Sequence, residues 1–84
     1  MEEQRLDLEY PCPWDYRIIG EDEARIRIAV AGIIGNVQYL LTLANRSQKA
    51  RYCSLQLTLE VKDEKERLEI FEALREHEDI RYVL

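Results

Sequence analysis

Residues 51–61 alternate with almost no interruption: Cys53, Leu55, Leu57, Leu59 and Val61 fall on one parity, Tyr52, Ser54, Gln56, Thr58 and Glu60 on the other. Successive side chains of a strand leave on opposite faces, so this segment reads as a strand with one face in a core and one toward solvent. A strand cannot bury an apolar face by itself. The rest of an 84-residue chain must therefore supply both its neighbours and the layer that covers it, which leaves room for one domain with a single two-layer core.

The partners can be read on either side. Pro11 and Pro13 fix an extended entry, and Trp14 to Ile19 alternates apolar with polar residues up to Gly20. Glu21, Asp22 and Glu23 place acids where a helix N-terminus favours them. The segment from Ala24 to Ile34 is ambiguous. Arg25-Ile26-Arg27-Ile28 alternates like a strand and Gly32 weakens a helix, yet Ile26, Ala29, Val30 and Ile33 share a helical stripe and Gly35-Asn36 makes a good stop. The stripe tips the balance only slightly toward helix. Val37 to Ala44 reads as a strand with Val37, Tyr39, Leu41 and Leu43 on one face. Asp63 with Glu66 forms a capping box for a helix whose buried stripe is Leu68, Phe71 and Leu74, supported by Ile70. Ile80 to Leu84 makes a last short strand.

The order βαββαβ is that of the ferredoxin-like α+β sandwich, a four-stranded antiparallel sheet of order 4-1-3-2 with two helices on one face. Residues 10–84 are expected to form that domain and residues 1–9 a flexible tail. The expected core is Trp14, Tyr16, Leu41, Leu55, Leu57, Leu59, Phe71 and Leu74. The helix-free face is expected to carry Asp15, Arg17, Ile19, Thr42, Tyr52, Ser54, Gln56, Thr58, Arg81 and Val83.

The segments Tyr10-Pro11-Cys12-Pro13-Trp14-Asp15-Tyr16-Arg17 and Ser47-Gln48-Lys49-Ala50-Arg51-Tyr52-Cys53-Ser54 resemble the YbeD-like family of short bacterial cytosolic proteins of unassigned function. The resemblance runs from Tyr10 to Leu84, including Glu66-Arg67 and Phe71, and departs at the apolar, glycine-containing Ala24–Ile34 segment. It implies the ferredoxin-like fold, and with it a helix over Ala24–Ile34. It also implies likeness to ACT regulatory domains, and some members are labelled as regulators of lipoate metabolism.

Chemistry is sparse. The acidic N-terminus has no apolar signal region, and the uncharged stretch from Ile28 to Asn45 is broken by Gly35-Asn36, so we expect a cytoplasmic chain without membrane contact. Cys12 and Cys53 fall at opposite ends of neighbouring strands, too far apart to bridge. The single histidine, His77, lies at the end of Cys53, whose parity is inward, so neither a nucleophile–base pair nor a zinc site is expected. No cofactor and no catalytic activity are expected. A net charge of −5 with Tyr52 as the open face's one aromatic argues against nucleic acid.

Charge is unevenly placed. Residues 24–59 hold no acid and five bases: Arg25, Arg27, Arg46, Lys49 and Arg51. The expected binding surface is therefore the hairpin end of the helix-free face, with Arg17, Arg46, Ser47, Lys49, Arg51, Tyr52 and Ser54 suited to an acidic partner. The competing reading is charge compensation by Glu21–Glu23 and Glu76–Asp79. These features suggest a non-catalytic protein-interaction or regulatory adaptor. The alternative is an ACT-like sensor of a small metabolite, an amine above all, in the Gly20, Glu21, Asp22 loop. The apolar edge Val37–Ala44 lacks charge or proline and is expected to pair with its own copy in a homodimer.

Overall fold

The computed structural model describes residues 9–46 and 51–84. Its elements are β1 (Cys12–Gly20), α1 (Glu23–Ile34), β2 (Leu40–Arg46), β3 (Cys53–Val61), α2 (Glu64–Glu76) and β4 (Tyr82–Val83). They form one antiparallel sheet of order β2-β3-β1-β4, the expected ferredoxin-like arrangement. The flexible tail expected over residues 1–9 lies, except for Glu9, outside the described residues.

The central pair carries the sheet. β1 and β3 run antiparallel in unbroken register from Cys12↔Val61 to Gly20↔Cys53. Tyr16, Ile18, Leu55, Leu57, Leu59 and Val61 are buried on the helix-covered face with Ile26, Ala29, Val30, Leu74, Ile80 and Val83. Trp14, Leu41 and Phe71 are half-buried and pack against that core. The expected stripe of α2 is only partly right: Leu74 is fully buried, but Leu68 remains 46% exposed because β4 is too short to bring a strand beneath it.

Ala24–Ile34 is a helix. Asp22 caps it by accepting from the Arg25 N–H, and Gly35 ends it at φ 76°, its N–H donating to the Ala31 carbonyl. Left-handed backbone of that kind suits glycine. Asp63 caps α2 through the Glu66 N–H at 2.8 Å, while the Glu66 carboxylate reaches back to the Lys62 N–H at 2.7 Å. Gly20 has a different reason: a Cβ there would lie 2.8 Å from both the Asp79 carbonyl oxygen and Ile26 Cδ1. The glycine lets the chain after α2 close over the end of β1.

Three details depart from expectation. β2 starts at Leu40 rather than Val37, because the turn after Gly35 takes Val37 into solvent. A bulge between Leu43 and Asn45 reverses the parity of the strand's last residues, so Asn45 pairs with Ser54 and Arg46 with Cys53. At β4, Val83 pairs with Ile18 and is buried, whereas Tyr82 pairs with Ile19 on the open face.

Leu57 is fully buried on the central strand, and Leu57→Ala should cost about 2–5 kcal/mol, read as a lower denaturation midpoint. The Tyr16 hydroxyl donates to the Arg67 carbonyl at 2.7 Å, and burial pushes its pKa up to about 12 from 10.0. A group whose pKa rises on folding stabilises fully below its unfolded value and loses that contribution as pH climbs to the folded one. Thermal stability should therefore fall between pH 10 and about 12, and the slope should flatten in Tyr16→Phe. Both cysteines are free. Eight residues of register place them roughly 26 Å apart along the strands. Burial raises the Cys53 pKa, so Cys12 should react first with a maleimide, and mass spectrometry of unreduced protein should show no link between them.

Candidate functional site

The helix-free face is built in rows by the register. Leu40, Thr58 and Asp15 share one row; Thr42, Gln56 and Arg17 the next, extended to Leu84; Asn45, Ser54, Ile19 and Tyr82 the third. Tyr52 lies beyond the third row at the hairpin end. Thr58 and Gln56 both donate to the Asp15 carboxylate, at 2.8 and 3.3 Å, which fixes that acid within the face.

At the hairpin end Arg81 lies over Tyr52. Its guanidinium carbon is 5.8 Å from the ring centroid and Nη2 donates to the phenol at 3.3 Å. Tyr82, 59% exposed, stands in the row beside it. The Ser54 hydroxyl between Asn45 and Ile19 is buried, with no hydrogen-bond partner among the described residues.

The sequence-derived surface is thus partly assembled. Arg17, Tyr52 and Ser54 share the face, and Arg51 is exposed at its hairpin edge. Arg17 and Tyr52 are four β3 positions apart, roughly 13 Å, so the site is an elongated strip. Arg46 is not part of it. The bulge turns its side chain to the helix face, where it pairs with the Glu23 carboxylate. Ser47 and Lys49 lie outside the described residues. Arg81, expected on this face but not in the binding surface, and Tyr82, expected on neither, are the strip's further members. A one-residue error of parity hid Tyr82, because a strand of two residues has no period to read.

Charge compensation holds for α1 and β2. Glu23 receives Arg27 at 2.9 Å as well as Arg46, and Arg25 bridges Asp22 and Asp79 at 3.8 and 3.7 Å. Arg17 and Arg51 have no ion pair among the described residues.

The Gly20–Asp22 loop borders a cleft of about 310 Å³ lined by Glu21, Asp22, Arg25, Glu78, Asp79 and Arg81. Asp22 is spent on capping α1, and Gly20 is spent on the close approach of Asp79. His77 Nδ1 accepts from the Asp79 N–H at 3.1 Å, so this nitrogen closes the turn after α2.

No helix is long and apolar enough to cross a membrane among the described residues. An uncharacterized protein of Helicobacter pylori strain J99 is 32% identical over 75 residues, covering 89% of this chain and 87% of the relative. An uncharacterized protein of Campylobacter jejuni is 32% identical over 68 residues, covering 81% and 78%. The solution structure of protein HP0495 from H. pylori superposes at TM-score 0.83 and 26% identity, covering 99% of this chain and 91% of that one. The ACT domain from the GTP pyrophosphokinase of Chlorobium tepidum shares the fold at TM-score 0.62 and 19% identity, covering 86% and 94%. The family described as "Protein of unknown function (DUF493)" matches residues 6–84, and the chain belongs to it.

Proposed function

We propose that the chain is a non-catalytic cytosolic binding module, a protein-interaction or regulatory adaptor that takes an acidic partner on its helix-free face. The observation that carries this reading is the strip of Arg17, Ser54, Tyr52, Tyr82 and Arg81, assembled by β1, β3 and β4 with the residues that lead into β3 and β4. Packing gives no reason for it: the inward residues of the same strands already fill the core. A guanidinium stacked on a phenol is a common anchor for partner binding, and arginines without an ion pair among the described residues, on a protein of net −5, favour anionic groups. Likeness to an ACT domain and the YbeD-like resemblance suit a regulatory role, with lipoate- or amino-acid-related metabolism as its setting.

A second reading, an ACT-like sensor, is supported by the cleft beside Gly20. Glu21 and Glu78 have no cation within ion-pair distance among the described residues, so an amine-bearing metabolite is its best occupant. Self-association through β2 is also supported, since Leu40 and Leu43 leave opposite faces of this edge exposed. The regular stretch such pairing would use is Leu40–Leu43, ended by the bulge and with the Leu41 carbonyl already accepting from Arg27.

The double reversal Arg17→Glu with Arg51→Glu should lower partner capture from native lysate at least about tenfold while the melting point moves little. A loss of stability with capture unchanged would make these arginines structural. A thermal-shift panel of amino acids and cofactor precursors tests the sensor: a rise abolished by Glu21→Gln would favour it. Sedimentation of Leu40→Lys as monomer, with the native chain dimeric, would support the β2 association.

A further inference from the structure

Among the described residues the sheet is incomplete on the β4 side. β1 has nine residues, but β4 covers only its last few: Arg17 and Leu84 exchange backbone bonds at 3.1 and 2.9 Å, and Ile19 accepts from Arg81 at 2.8 Å. Backbone groups of one strand alternate sides, so those of Asp15 and the Pro13 carbonyl point the same way as those of Arg17. No described residue pairs with them. This lane, open among the described residues, continues the β1–β4 ladder in line. Above it lies a cleft of about 330 Å³ lined by Trp14, Tyr16, Arg67, Leu68, Phe71 and Leu84, among other groups.

We propose that this lane accepts an extended segment of another protein as a fifth strand, antiparallel to β1, carrying a basic residue between two apolar ones. The backbone argument selects a strand, because a donor and acceptor on Asp15 with a further acceptor on Pro13 match strand spacing. The residue opposite Asp15 shares the open face with its carboxylate, where a cross-strand cation is favoured and an acid disfavoured. Its two neighbours point to the other face, beside Trp14 and Tyr16 and under the exposed side of Leu68. Arg67 adds no free charge there, being stacked at 4.5 Å on Trp14 and paired with Glu64.

Two other occupants fit less well. A second copy pairing β1 with β1 would oppose Pro11 and Pro13, whose nitrogens fall on this same edge parity and donate nothing. The chain's own Leu6-Asp7-Leu8 carries an acid where this pattern asks for a base.

The probe is the capped peptide acetyl-Thr-Leu-Lys-Leu-Thr-amide, titrated into the isotope-labelled full chain and followed by amide NMR. The Asp15 amide should shift and its exchange should slow, independently of Arg51 and Tyr52, so the result separates from the open-face reading. Replacing the central lysine by glutamate should weaken binding by roughly threefold or more. Methylating the amide nitrogen of that lysine should weaken it about fivefold. Asp15→Lys should invert the preference for lysine over glutamate. Should that variant misfold, Leu68→Asp, at an exposed position, should abolish binding with the spectrum otherwise retained. The proposal fails if saturating peptide leaves the Asp15 amide unmoved, or if binding ignores the N-methyl group. It also fails if deleting residues 1–8 speeds exchange at Asp15, since the lane is then already filled by the chain's own start.

Discussion

Every placement in this molecule descends from the pairing of β1 with β3. Nine consecutive residue pairs without a bulge lock two parities together: even positions of β1 meet odd positions of β3 under the helices. A slip of one residue would turn Tyr16 and Ile18, or Leu55 and Leu57, to solvent, and each is nearly or fully buried. The helices then have one surface on which to set Ile26, Val30 and Leu74. The open face inherits whatever the opposite parity carries, and that parity is polar on β3 because only one layer of helices is available.

Glu23 ties the weaker half of the sheet to that frame. It lies in the first turn of α1, favourable for an acid, and holds Arg27 and Arg46 together. Each pair is partly exposed and worth at most about 1 kcal/mol, so their effect is on direction more than on stability. Arg27 is turned toward β2, where it also meets the Leu41 carbonyl, and Arg46 is held on the helix side of the bulge. Three bases of the acid-free stretch, Arg25, Arg27 and Arg46, thus find counter-charges in the residues just before it and just after α2.

How much of this was legible follows from period. β3 is nine residues of strict alternation, and its face assignment held at every position; β1 held likewise. α1 needed more than pattern, because Ile28 and Gly32 blur the stripe and its outward side carries little charge. The errors gathered where period is short or interrupted. A bulge leaves no mark in Leu43-Ala44-Asn45, so Arg46 was placed on the wrong face. A two-residue β4 gave Val83 and Tyr82 even odds of either face, and Leu68 was expected in the core because its helical spacing carries no knowledge of where the sheet ends. Pairing of Arg81 with Tyr52 joins residues 29 positions apart and depends on the hairpin and the last loop meeting, which no local pattern encodes.

The two sheet edges differ in how they are closed, and the difference assigns them different roles. On β2 the defence is added by the fold: Arg27 supplies a donor to Leu41, and the bulge twists the end of the strand away. On the β1 side the defence is in the chain itself, through Pro11 and Pro13. Those prolines cost the β1–β3 ladder nothing, because their nitrogens face away from β3, and they remove the donors that self-pairing would use. They leave the carbonyl of Pro13 and both groups of Asp15 in place. An edge kept for solvent alone gains from losing acceptors as well as donors, or from a charge aimed along it. This one keeps its acceptors, holds the Asp15 carboxylate on the open face through Thr58 and Gln56, and sets Leu68 above the gap. Such an edge rejects its own copy and still admits a strand that brings its own N–H groups.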